Sequence, residues 1–328
     1  MSHRNHLGPA PAAIICRRTR QSLLAGLAVL TLSSAALAEP VVLERAPSGH
    51  LIVEVEIGAG GPYIFLLDTG ASSTAISQPI AETLGFQSVW EDYGDVQSLT
   101  ARFSAEHFTL QDLRFAGLAP ISLDSVIIPV DGAEVRPVAG LLGADAIPTA
   151  RYSVDFANAT LTLDANTPEH ADGYVNSQNL LLGQAELGQG MHGVRVMIDS
   201  GSARTLINER LRTQVQHRAG GVTYNIDGVA SRLPSDTGVE AQPVLLRGLE
   251  LGGLCRNSVL ALQADLDIFE ALDWGNMPAM VIGMDVLQYA TITVDREAGT
   301  FEISATNAND ACRGERARGL VPEQDATR

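Results

Sequence analysis

Three stretches of this chain recur, in the same order, farther along it. Phe65-Leu66-Leu67-Asp68-Thr69-Gly70-Ala71-Ser72 matches Val196-Met197-Ile198-Asp199-Ser200-Gly201-Ser202-Ala203 at an offset of 131 residues. Residues 108–118 match 244–254 at an offset of 136. Leu142-Gly143-Ala144-Asp145, continuing through Val154-Asp155 to Leu163, matches Ile282-Gly283-Met284-Asp285, Val294-Asp295 and Ile303 at an offset of 140. So small a drift needs only short loop insertions, and two copies of about 120 residues that fold alike are expected.

The pattern within a copy is that of strands. Leu51-Ile52-Val53-Glu54-Val55-Glu56-Ile57 and Tyr152-Ser153-Val154-Asp155-Phe156 alternate with the period of half-buried β-structure. Short helices are predicted after each Asp motif, over 78–84 with Ser77 as N-cap and over 208–215 with Asn208 as N-cap. The class is mainly β: two homologous β-rich lobes related by pseudo-twofold symmetry, with few helices. The first lobe is predicted over 39–165 and the second over 181–304. Residues 166–180, with Pro168, Gly173 and Asn176, read as a linker. The polar tail 305–328 is expected to pack little, with Cys312 as its anchor.

Residues 1–38 carry Arg17, Arg18 and Arg20, an apolar run over 23–32, and Ser33-Ser34-Ala35-Ala36-Leu37-Ala38. This order predicts a signal peptide cleaved after Ala38, because the run is about half the ~20 apolar residues that span a bilayer. The mature chain is then periplasmic or secreted. It loses four arginines and no acids, which moves the formal charge from −16 to −20. With no lysine and a strong acidic excess, the composition argues against nucleic acid or an anionic membrane as a partner. Cys16 leaves with the leader, so Cys255 and Cys312 remain, either bridged or as two thiols, in an oxidising compartment.

The chemistry concentrates where an apolar strand ends in Asp, a small hydroxyl residue and Gly. Asp236-Thr237-Gly238 has the same tripeptide but follows Leu233-Pro234-Ser235 and reads as a surface turn. Asp68 and Asp199 differ from it by their matched places in two copies. A pseudo-twofold arrangement brings them together, and two acids a few ångströms apart share one proton. The histidines form no metal-binding spacing, Ser72 and Ser202 lack a histidine and acid partner in sequence, and no cofactor or metal is expected. Asp145 and Asp285 read as helix N-terminal acids, and Asp155 and Asp295 as polar residues on strand faces. Arg204 is expected to face solvent or form a structural ion pair rather than act on the acids.

These motifs resemble a tandem bacterial member of the retropepsin-like aspartic proteases, with the pepsin-like arrangement of two lobes in one chain. The resemblance spans 51–163 and 181–303. It rests on Leu67-Asp68-Thr69-Gly70-Ala71-Ser72, Ile198-Asp199-Ser200-Gly201-Ser202, Leu141-Leu142-Gly143 and Val281-Ile282-Gly283. It implies an aspartic endopeptidase acting on peptide or protein substrates as a monomer, with Asp68 and Asp199 catalytic. It also implies that the Thr69 and Ser200 hydroxyls bond across the lobes and that Gly70 and Gly201 let the loops meet. A flap over the cleft is implied too, with residues 90–100 (Tyr93, Gly94) and 220–231 (Gly228) as candidates. The competing expectation is a catalytically inactive peptide-binding module of the same fold; a structural envelope protein ranks last.

Overall fold

The computed structural model describes residues 39–86, 93–128, 138–188, 190–218, 231–232 and 240–312. The predicted leader, the third Asp-Thr-Gly, residues 90–92 of the first flap candidate and residues 220–230 of the second lie outside them. The chain is mainly β.

Six strands make the ring of the first lobe: β1 (Leu51–Ile57), β2 (Gly60–Leu67), β3 (Ala75–Ser77), β4 (Arg102–Phe115), β5 (Ile121–Ile128) and β6 (Gly140–Leu142). They pair in the order β1, β2, β6, β3, β5, β4, and a β1–β4 pairing closes the ring. The second lobe repeats this order with β7 (Leu181–Leu187), β8 (Met191–Ile198), β9 (Leu206–Ile207), β10 (Glu240–Leu251), β11 (Leu254–Gln263) and β12 (Ala279–Ile282). Here a β7–β10 pairing closes the ring. In each, the strand leading into the Asp motif runs parallel to the later apolar segment, Leu67 beside Leu142 and Ile198 beside Ile282. β1 and β7 share one burial pattern: alternate residues enter the barrel core, and Ile52 and Leu182 are buried on the opposite face as well.

Between the rings lies a sheet built by both lobes. Arg151–Asp155 pairs antiparallel with Ala290–Asp295 in a register that sets Ser153 opposite Thr293. These two are counterparts at the offset of 140, and Thr293 Oγ1 donates to Ser153 Oγ at 3.2 Å. An antiparallel pair of equivalent residues marks a twofold axis, and here it runs through the shared sheet. Tyr152, Val154, Ile292 and Val294 bury their side chains in the common core.

Several local expectations change. The helix after the first motif is Gln78–Thr83, but the Ser77 side chain makes no capping bond. Pro79 removes one of the first-turn N–H groups a cap would serve. Asn208 does cap its helix, Glu209–Arg218, by accepting from the Leu211 N–H at 3.0 Å. Within the predicted linker, Gly173–Val175 is a strand between β7 and Thr300–Ala305. A Cβ on Gly173 would strike the Phe301 ring, so glycine is what lets that strand sit there. The start of the tail is held by more than Cys312. Asp310 pairs with Arg256, its carbonyl accepts from the Cys255 N–H, and Cys255 is disulfide-bonded to Cys312. Asp155 and Asp295 close hairpin turns, accepting from the Asn158 and Ala298 N–H groups.

Candidate active site

Each Asp motif begins where its strand leaves the barrel. The Asp68 N–H donates to the Leu142 carbonyl and the Asp199 N–H to the Ile282 carbonyl, both at 3.0 Å. Each loop then turns back on itself: Gly70 N–H donates to Asp68 Oδ1 and Gly201 N–H to Asp199 Oδ1, both at 2.8 Å.

The loops are locked to each other by an exchange of bonds. The Thr69 N–H donates to Ser200 Oγ at 2.9 Å, and the Ser200 N–H donates to Thr69 Oγ1 at 3.0 Å. Each hydroxyl then donates to a carbonyl of the other lobe, Ser200 Oγ to Leu67 at 2.8 Å and Thr69 Oγ1 to Ile198 at 3.4 Å. Serine serves in place of threonine because only the hydroxyl is used. Gly70 and Gly201 are fixed by space. A Cβ on Gly70 would lie 2.5 Å from the Asp199 carboxyl carbon, and one on Gly201 would run into the Asp68 carboxylate.

This junction brings Asp68 and Asp199 into a direct side-chain hydrogen bond. Both are buried, at 8% and 4% exposure. Burial, followed by the charge of Asp68, pushes the Asp199 carboxyl well above the usual range. Burial raises Asp68 too, but the bond from Asp199, the Gly70 N–H and the nearby His50 imidazole all oppose it. The pair therefore holds one carboxylate and one carboxylic acid, a base and an acid in contact.

A second tier of residues holds the loops. Thr74 donates its N–H and hydroxyl to Asp145, and Thr205 does the same to Asp285. The same hydroxyls accept from the Gly143 and Gly283 N–H groups. Behind them, Ala144 N–H donates to the Ala71 carbonyl and Met284 N–H to the Ser202 carbonyl, so the later apolar-Gly segment passes directly behind each Asp loop. Asp145 and Asp285 do lie in the first turns of Ala144–Ala146 and Met284–Leu287, yet their carboxylates turn to the threonines. The recurrence of Thr at the first offset and Asp at the third was the signal for these pairs. Arg204 is exposed, and its charge acts on Asp285.

Tyr93–Gln97, in the first flap candidate, and the start of β4, just beyond it, form a hairpin whose tip crosses to the other lobe. There the Ile268 N–H donates to the Leu99 carbonyl at 3.2 Å, and Leu99 packs on an apolar cluster that includes Leu266, Phe269 and Trp274. Of the second candidate only Ser231 is described, paired with Ala241.

The raised carboxyls set a pH dependence of stability. Burial raises Asp68, Asp145, Asp172, Asp199 and Asp285 above their ordinary value of 3.8. The folded chain thus binds these protons more tightly than the unfolded one, so their contribution is full below about pH 4 and is lost as pH rises through the folded values. Glu209 is lowered by Arg212 and works in the opposite direction, but it is largely exposed and contributes little. Thermal unfolding from pH 4 to 8 should show a melting temperature that falls toward neutrality, and Asp199→Asn should flatten that fall. A melting temperature that rises over this range would contradict the assignment.

Residues 53–146 match the family model of the aspartyl proteases. The matched span holds Asp68 and ends just after the Asp145 that supports its loop; Asp199 lies beyond it. No curated protein matches the chain.

Proposed function

We propose, from an aspartyl protease domain over residues 53–146, that the chain is an aspartic endopeptidase whose water nucleophile is activated between Asp68 and Asp199. The observation that carries this reading is the direct bond between two buried carboxyls at a reciprocally bonded junction. A lone capping aspartate needs no such partner.

In the reaction, the carboxylate takes a proton from a water held against both acids. The water oxygen attacks the scissile carbonyl, and the protonated acid donates to the oxygen on which charge develops. The tetrahedral species then collapses with protonation of the leaving amine, and no covalent enzyme intermediate is formed. Thr69, Ser200, Gly70 and Gly201 keep the carboxyls together, while the hairpin bearing Leu99 lies between the lobes as the covering element. The protein is exported, with its leader removed after Ala38, and acts in the periplasm or outside the cell as a monomer on peptide or protein substrates. Among the described residues no helix is long and apolar enough to cross a membrane.

The test is a diverse peptide mixture incubated with the mature protein from pH 3 to 7, with product termini read by mass spectrometry. Internal cleavage strongest on the acid side is expected. Peptide binding without new termini at any pH would instead identify a non-catalytic binding module.

A further inference from the structure

The register of β1 and β2 pairs Ile52 with Leu66, and two further steps set His50 opposite Asp68. In the second lobe the register pairs Leu181 with Ile198, and one further step sets Leu180 opposite Asp199. Residues opposed across an antiparallel pair have Cα atoms about 4.5–5.5 Å apart and point their side chains to the same face. Two aspartates with matching loops therefore have unlike backing: an imidazole behind one, an isobutyl group behind the other. Both are buried, His50 at 4% exposure and Leu180 at 6%. A leucine evidently satisfies the packing of this position, so packing does not call for histidine. The imidazole is held from behind: Nδ1 lies 2.9 Å from Ser48 Oγ, and the His50 carbonyl accepts from the Ala46 N–H at 2.9 Å.

We infer that His50 is a positioning residue that breaks the near-symmetry of the dyad, making Asp68 the carboxylate and general base and Asp199 the carboxylic acid. The names base and acid rest on the peptidase reading above; the distribution of charge does not. A positive or dipolar imidazole behind Asp68 favours its ionised form, and His50 acts on Asp68 in that sense. Leu180 offers Asp199 only desolvation, which favours the neutral form. From the neighbouring strand Glu44–Arg45, the Arg45 guanidinium turns to the Gly49 and Phe156 carbonyls, and Glu44 is exposed. The side chains that act on Asp68 are those of Asp199 and His50.

The experiment follows the carboxyl carbons of the mature protein by ¹³C NMR across pH, for the unmodified chain, His50→Gln and His50→Leu, beside the pH profile of kcat/KM. In both variants the lower titration step of the dyad should rise by about 0.5–1 pH unit, carrying the acid limb of kcat/KM with it, while the upper step moves less. In the unmodified protein the ring nitrogens of His50 should register the dyad's steps. Dyad steps unmoved in a folded variant overturn the inference. If neither variant folds, ring nitrogens silent through the dyad's titration overturn it, and ring nitrogens that follow it support it. A protein that cleaves no peptide but shows the shifted step loses the peptidase reading and keeps the charge assignment. One that cleaves normally with an unmoved step loses only this inference.

Discussion

Asp199→Asn is expected to lower kcat/KM for a cleaved peptide by about 10³-fold or more, leaving a folded protein that melts at or slightly above the temperature of the original. The Asp199 carboxyl is already held neutral by burial and by Asp68, so an amide of nearly the same shape keeps the Gly201 N–H bond and removes one buried titrating group. What it cannot do is release a proton as the carbonyl oxygen gains charge. Asp68→Asn should lose activity by a similar factor for the complementary reason, since an amide accepts no proton from water at these pH values. The measurement is kcat/KM beside thermal melting for each variant. Activity within tenfold of the original in either folded variant would remove that aspartate from the mechanism.

Ser200→Ala should destabilise the protein by about 2–5 kcal/mol, far more than the loss of one exposed hydroxyl. The side chain is fully buried, accepts from the Thr69 N–H and donates to the Leu67 carbonyl, so its removal strands two main-chain groups of the other lobe. Each buried group left without a partner costs about 1–3 kcal/mol. At roughly 2–4 °C per kcal/mol, a fall in melting temperature of about 5–15 °C is expected. Thr69→Ala should cost less, because its own donated bond, at 3.4 Å, is the longer one. Ser200→Thr retains the hydroxyl and should restore most of the stability. The double alanine variant should cost less than the sum of the two singles, since once the junction is open the second change removes little more. Strict additivity would mean that the two hydroxyls do not act as one junction.

Self-comparison made the core of the site legible because its requirements are local and occur twice. An acid at a strand end, a hydroxyl beside it and a glycine where backbones meet are each written in the sequence, and the offsets said which of three Asp-Thr/Ser-Gly turns to set aside. The partnership of Thr74 with Asp145 and of Thr205 with Asp285 was also written twice, but its members lie 71 and 80 residues apart and each has an ordinary local explanation. His50 was hidden for the opposite reason: its counterpart is Leu180, and a search for likeness passes over the place where the halves differ. Ser77 misled because its suitability as a cap was judged without the proline two residues on. Residues 166–180 misled because turn-forming composition does not reveal that Gly173 admits the Phe301 ring and so allows a strand.

The pairing of Ser153 with Thr293 has a consequence for how such a chain can be divided. A first half made alone would keep Arg151–Asp155 paired with Thr160–Leu163 but leave its other edge bare, and that edge normally binds a strand equivalent to itself, in a register centred on equivalent residues. Such an edge is self-complementary. Two copies of the half could meet through it, Ser153 against Ser153, and thereby bring two Asp68 loops face to face, so the covalent connection between the lobes supplies effective concentration and the freedom to make the two halves different.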